Sequence, residues 1–65
     1  MNKLAGFRRM LGLSQEEMAK KIGLSVTGYR LKENEINEFK KTEMIKIHTM
    51  VKDIMPDITL EDIFF

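Results

Sequence analysis

Few residues of this chain could do covalent or metal chemistry. There is no cysteine, so no disulfide, zinc thiolate or thiol nucleophile can form. His48 is the only histidine. It falls four residues after Met44 on an apolar helical stripe, where a core or boundary place explains it, and a metal site would lack a second nitrogen ligand. The carboxylates Asp53, Asp57, Glu61 and Asp62 do not have the spacing of a calcium loop and read as a solvated surface. No nucleophile and base stand in a recognisable pairing. The expectation is a protein that is not an enzyme, with no metal, no cofactor and no small-molecule substrate. What its side chains can offer is recognition, through charge and hydrogen bonding.

The formal net charge is only +1, but it is unevenly spread. Residues 1–34 carry seven basic residues (Lys3, Arg8, Arg9, Lys20, Lys21, Arg30, Lys32) against three acidic ones (Glu16, Glu17, Glu33). Residues 35–65 carry four basic and seven acidic residues. Such a split suggests a basic face at one end of the molecule, or chance in a short chain. At 65 residues the chain is expected to form one domain, 1–65, with a small core. No stretch approaches the roughly 20 apolar residues of a membrane span, and no signal peptide is visible, so an intracellular protein is expected.

Helical periods must position whatever does the recognising. Leu4, Phe7 and Leu11 mark a first helix over roughly residues 2–11, stopped by Gly12. Ser14 and Glu17 form a capping box at the start of a second, whose buried stripe is Met18, Ala19 and Ile22 and whose stop is Gly23. Ser25 is a good N-cap for a third helix at about 26–34, within which Gly28 costs about 1 kcal/mol relative to alanine. A polar connection follows, with Ile36 and Phe39 as its expected anchors. Thr42 opens a fourth helix, in which Met44, Ile47, His48, Val51, Ile54 and Met55 recur at three-to-four spacing until Pro56. Thr59 caps a short fifth helix at 60–64; alternation over Ile58–Leu60 allows a strand instead. Met18, Met44 and Met55 read as core. The fold class expected is all-α, a compact five-helix domain.

The junction between the second and third helices is the most informative feature. Ile22 and the cap Ser25 are too close for the helices to lie side by side. They must cross steeply, near the roughly 90–120° of a helix-turn-helix. Ala19 is small where they approach, and Leu24 and Tyr29 point back into the core. The third helix is then propped on the second with its outer face free. The chain resembles the lambda-type repressor and Cro helix-turn-helix family, also called the XRE family. The residues that carry the resemblance are Arg8, Gly12-Leu13-Ser14-Gln15-Glu16-Glu17-Met18-Ala19, Gly23-Leu24-Ser25, Tyr29 and Lys32-Glu33-Asn34. Phe39, Glu43, Ile47 and the terminal Leu60–Phe65 look like those of small prophage-encoded members.

The resemblance implies a sequence-specific regulator of transcription, repressor or Cro-like, that places helix 26–34 in the major groove of double-stranded operator DNA. The positions matching base readers are Val26, Thr27 and Leu31, with Arg30 beside them. Val26 and Leu31 can pack on thymine methyl groups, or are simply half-buried; Arg30 can reach a guanine, a phosphate or only solvent. Gln15, Asn34, Lys40 and Lys41 match phosphate contacts, and Gln15 can also brace the third helix. The two lysines alternatively only solvate the start of the fourth helix. Gly28 is either tolerated or needed where the backbone approaches DNA or the second helix. Arg8 and Glu33 match a structural ion pair. The implied setting is the cytoplasm of a bacterial or phage-infected cell.

The chain departs from the family pattern after Asn34, where Glu35 replaces the usual glycine. Either Asn34 takes the left-handed conformation or the helix ends differently. Glu35 and Glu38 also put negative charge beside the expected phosphates, which weakens binding unless the loop turns away. A rival reading is a protein-interaction module that keeps the fold without binding DNA. Single units of this kind bind half-sites weakly, so pseudo-palindromic operators and dimers are common. Phe64 and Phe65 cannot both fit a small core, and at least one is expected to make a homodimer contact.

Overall fold

The computed structural model describes residues 2–65. Five helices follow in order: α1 (Leu4–Met10), α2 (Gln15–Ile22), α3 (Val26–Glu33), α4 (Lys41–Lys52) and α5 (Leu60–Phe64). No strand forms among the described residues; Ile58 and Thr59 are a short connection, Thr59 in extended conformation, and Leu60 is the first residue of α5. The molecule measures about 30 × 21 × 19 Å.

Local chemistry sets most boundaries. At the start of α2 the Glu17 amide donates to Ser14 Oγ (3.1 Å) and the Ser14 amide donates to Glu17 Oε1 (2.9 Å), a reciprocal box that satisfies two otherwise unpaired donors. Thr59 and Asp62 repeat this at α5, with bonds of 3.2 and 3.0 Å. Both acids are held below their usual range chiefly by the backbone bond each accepts, from Ser14 and Thr59 respectively.

Three helices end in one motif. After α1 the amides of Gly12 and Leu13 bond back to Arg9 and Arg8; after α2 those of Gly23 and Leu24 bond back to Lys20 and Ala19. Each glycine takes the left-handed conformation that this Schellman closure demands (φ 75° and 81°). After α3 the amides of Glu35 and Ile36 close onto Lys32 and Leu31 in the same way. Here Glu35 itself is left-handed at φ 63°, while Asn34 stays at −84°. The family's missing glycine is thus replaced at its own position, and Asn34 does not take over its role. Sequence could not show this, because the penalty for a non-glycine residue, about 1–2 kcal/mol, is small enough for a neighbouring structure to override.

The core is built from one face of every helix. Leu4, Met18, Ala19, Ile22, Tyr29, Ile47, Val51, Ile63 and Phe64 are buried, with Phe7, Leu11, Leu13, Leu24, Phe39 and Met44 packed around them. Phe39 joins two of these layers by edge-on ring contacts, 6.1 Å to Tyr29 and 5.5 Å to Phe64. α2 packs most closely on α3, α4 against both α2 and α5, and α1 against α5. The Lys3 amide bonds to the Ile63 carbonyl at 2.8 Å and ties the start of α1 to α5.

Three residues expected to be buried are corrected. Ile36 is 69% exposed, because the closure at Glu35 turns its amide inward to Leu31 and leaves Phe39 as the anchor of the connection. Ile54 and Met55 are exposed as well. Helix α4 stops at Lys52, and the amides of Ile54 and Met55 both turn back to the Val51 carbonyl. Pro56 disfavours helical geometry in the residue before it, so the apolar period outruns the helix. His48 sits at the boundary, half-buried, with Nε2 donating to the Ile58 carbonyl at 2.8 Å.

Candidate nucleic-acid interface

The α2–α3 junction is three residues long, Gly23 to Ser25. Ser25 Oγ accepts from the Gly28 amide at 3.0 Å and fixes the first turn of α3. This cap also accounts for Gly28. A Cβ there would stand 3.1 Å from Ser25 Oγ, and no side chain of α2 comes within 4 Å of that point. The glycine therefore accommodates the cap and not an approach to α2.

The inner face of α3 is Tyr29, fully buried, and Glu33, 8% exposed. Glu33 is gripped by Arg8 of α1 through Nε–Oε2 (2.9 Å) and Nη2–Oε1 (3.3 Å). Arg8 also donates from Nη1 to the Leu13 carbonyl (2.9 Å), so a single guanidinium joins α1, the α1–α2 turn and the end of α3. Burial opposes the Glu33 charge more than any other single influence. The Arg8 bond, followed by the Tyr29 hydroxyl, the Gln15 amide and the Arg8 charge, outweighs it, and the carboxyl lies below its usual range. The Glu33 bond in turn pushes the Arg8 guanidinium up. The Tyr29 hydroxyl is buried against this pair without a hydrogen bond of standard geometry; burial first, then Glu33, push the phenol up.

The outer face is different. Thr27 and Arg30 are exposed, and Val26 and Leu31 are half-buried. These four residues are the ones matched to base readers; Thr27 and Leu31 lie on the side of α3 turned away from Tyr29 and Glu33, whereas Val26, three residues before Tyr29, borders the inner stripe and Arg30 stands out beside it. Gln15, at the first position of α2, is half-buried; it donates to Glu33 Oε1 (3.1 Å) and accepts from Arg30 Nε (3.0 Å). Asn34 is exposed directly after α3, its amide bonded to the Arg30 carbonyl at 3.0 Å. Lys40 is the N-cap of α4 and Lys41 its first residue, both exposed. Helix α4 therefore starts one residue earlier than Thr42. The structure thus joins Arg8, Gln15, Arg30 and Glu33 in one line of hydrogen bonds. It leaves Thr27 exposed and Val26 and Leu31 half-buried, and it places Asn34, Lys40 and Lys41 at the two ends of the connection after α3.

A family model described as helix-turn-helix matches residues 4–49, well over half of the chain. The chain belongs to this family. It is the XRE, or lambda-repressor, type of helix-turn-helix, a family of DNA-binding regulators. No curated protein and no solved structure gives a significant match. The match takes in all of α1, α2 and α3 and most of α4, and so covers every element that supports the helix-turn-helix face. Among the described residues no helix is long and apolar enough to cross a membrane, and no three His, Asp or Glu side chains cluster as a metal site would require.

One link of this helix-turn-helix was not legible beforehand. Lys32 Nζ bonds to Glu43 Oε1 at 2.7 Å, with both side chains largely buried. Glu43 also accepts the Lys40 amide at 2.9 Å. Burial works against its charge most strongly, but the Lys32 bond and then the Lys40 amide hold the carboxyl below its usual range. The pair fastens the end of α3 to the start of α4, next to the residue that Arg8 holds. Its only sequence signal is an acid three residues after the residue preceding α4, a pattern that fixes Glu43 at a helix start but names no partner.

Proposed function

We propose that this protein is a sequence-specific transcriptional regulator, repressor-like or Cro-like and of prophage style, that acts by occupying an operator. In this reading α3 enters the major groove. Thr27 hydrogen-bonds to a base edge, Arg30 reads a guanine, and Val26 and Leu31 pack on thymine methyl groups. Gln15, Asn34, Lys40 and Lys41 grip phosphates, which set register and supply salt-dependent affinity. The observation that carries the reading is the two-sided character of α3. Its inner face is locked by Arg8 and Glu33, while Thr27 and Arg30 stand in solvent. An apolar exposed face on α3 would favour a protein partner instead, and Thr27 and Arg30 are polar.

The exposed acids Glu35 and Glu38 lie in the turn and loop after α3, away from Val26 and Thr27 at its start. They are expected to moderate non-specific affinity without blocking the reading face. The test is selection from random duplex DNA at two salt concentrations. A recovered motif of a few defined base pairs is the expected result, and Lys41→Ala then weakens binding to every sequence and reduces the salt slope by about 1. Recovery of no motif at either salt concentration overturns the reading.

Phe64 is buried while Phe65 is 76% exposed. We propose that Phe65 contributes to a homodimer contact, so that two copies of α3 address a pseudo-palindromic site in the bacterial cytoplasm. Sedimentation should show a dimer that Phe65→Ser converts to monomer. A monomer in both cases removes the dimer from the account and leaves single-site binding.

A further inference from the structure

Three apolar residues in a row, Ile54, Met55 and Pro56, stand in solvent just after α4. Met55 and Pro56 line an open groove of about 320 Å³ with half-buried Ile58, and Asp57 and Asp62 border it. The backbone of this turn is already fixed. The Ile54 and Met55 amides bond to the Val51 carbonyl, and the Ile58 amide bonds to the Met55 carbonyl at 3.0 Å. His48 Nε2 donates to the Ile58 carbonyl at 2.8 Å. The surface therefore keeps its shape without a partner, which lowers the ordering cost of binding one. Single exposed apolar residues are ordinary, but a contiguous patch rimmed by polar groups marks an interaction surface.

Charge decides what covers it. From Lys52 to Asp62 the chain carries one basic residue and four acidic ones, Asp53, Asp57, Glu61 and Asp62, all of them exposed. The Lys3 charge, which acts on the Asp62 carboxyl, offsets part of this. A rim of this sign repels nucleic acid and anionic lipid alike. A second copy meeting it across a two-fold axis would bring both sets of four carboxylates into one contact. Phe65, the residue assigned to the homodimer, lines a separate groove with Phe39 and Met44. Helix α4 spans Lys41–Lys52, a rise of about 17 Å, so the turn lies at the opposite end of α4 from Lys40 and Lys41.

We propose that the turn Ile54–Ile58 is a docking surface for a basic, amphipathic segment of another protein. Apolar side chains of that segment enter the groove beside Met55 and Pro56, and its lysines or arginines face Asp53, Asp57 and Glu61. The proposal goes beyond DNA binding and does not depend on it. A protein docked here leaves α3 uncovered, so the chain can hold a partner and a duplex together.

The probe is a short synthetic peptide of leucine and lysine with its leucines on one helical face. The controls are a scrambled peptide of the same composition and the same design with glutamate in place of lysine. Titrated into the full chain without DNA, the first peptide should shift amide signals saturably at Ile54–Ile58 and Glu61 and leave Val26–Leu31 fixed. It should bind about 10-fold or more tightly than the scrambled control, and the acidic peptide should not bind. Met55→Ser should weaken binding about 10-fold while duplex affinity stays the same. Asp57→Asn should weaken it less and reduce its dependence on salt. Circular dichroism checks that both variants fold, and the comparison of the three peptides needs neither of them. Equal binding of the scrambled peptide, or shifts gathered on α2 and α3, overturns the proposal. So does a native dimer in sedimentation that Met55→Ser converts to monomer, since a second copy then covers the turn. A chain that takes up the peptide here but selects no duplex keeps this proposal and loses the proposed function; one that selects a duplex and ignores the peptide does the reverse.

Discussion

The half of the molecule around α2 and α3 and the half around α4 and α5 are held by different physics. In the first, every change of direction is made by a directed bond or a left-handed residue: the Ser14–Glu17 box, Gly23, the Ser25 cap, and Arg8 reaching across to Glu33. In the second, Ile47, Val51 and Ile63 are fully buried, the directed bonds sit at the ends of the helices (Glu43 with Lys32 and the Lys40 amide, the Thr59–Asp62 box and the His48–Ile58 contact), and Ile54 and Met55 are left outside. Burial of apolar surface is strong but has no direction, whereas hydrogen bonds fix angles. A helix that must be presented in one orientation needs the second kind of force. A scaffold behind it needs only the first.

The sharpest way to break this contrast is Arg8→Ala. It leaves Glu33 as a buried carboxylate without its cation, and should cost about 3–5 kcal/mol in urea unfolding. In so small a domain that approaches the whole stability. A loss under 1 kcal/mol would mean that the Arg8–Glu33 pair does not hold α3 and that packing does. Gly23→Ala should cost about 1–2 kcal/mol through the backbone only, since the added Cβ meets nothing within 4 Å. Glu35→Gly tests the same closure in the opposite sense. It removes a left-handed non-glycine residue and should raise stability by less than about 1 kcal/mol, offset by the greater freedom of the unfolded chain.

Acid should weaken the two ion pairs that hold the end of α3. Glu33 and Glu43 both lie below the usual glutamate range in the folded state, so the unfolded chain binds protons more readily there. Their contribution is complete above the unfolded value of 4.5 and is lost as pH falls through the lower folded values. Melting temperature should hold steady from pH 7 to about 5 and drop below about 4.5. Glu33→Gln should flatten that drop while lowering the plateau.

The same contrast explains what could be read from the sequence. Ser14 with Glu17, Gly23, Ser25 and Thr59 are short-range signals, and the elements they delimit match closely: α5 spans Leu60–Phe64 as expected, and α2 and α3 start where their caps require. Arg8 and Glu33 are 25 residues apart, and only the family resemblance suggested pairing them. The structure shows the bond. Lys32–Glu43, Gln15–Arg30 and the exposure of Ile36 had no local signal, because each depends on how helices meet in space. Ile54 and Met55 misled for a different reason: periodicity counts apolar residues, but Pro56 decides where the helix stops. At Glu35 the sequence leaves open an asparagine in the glycine's role or a different helix end, and the backbone instead keeps the left-handed position at Glu35 itself.

The central claim is that α3 is rigidly held on one side and offered to DNA on the other. Amide chemical shifts, followed as a selected duplex is titrated into the protein, test it most directly. The account predicts the largest changes at Val26, Thr27, Arg30 and Leu31, smaller ones at Gln15, Asn34, Lys40 and Lys41, and little change across Ile54–Asp57. Changes concentrated on α4 and α5, with Val26–Leu31 unmoved, would contradict it.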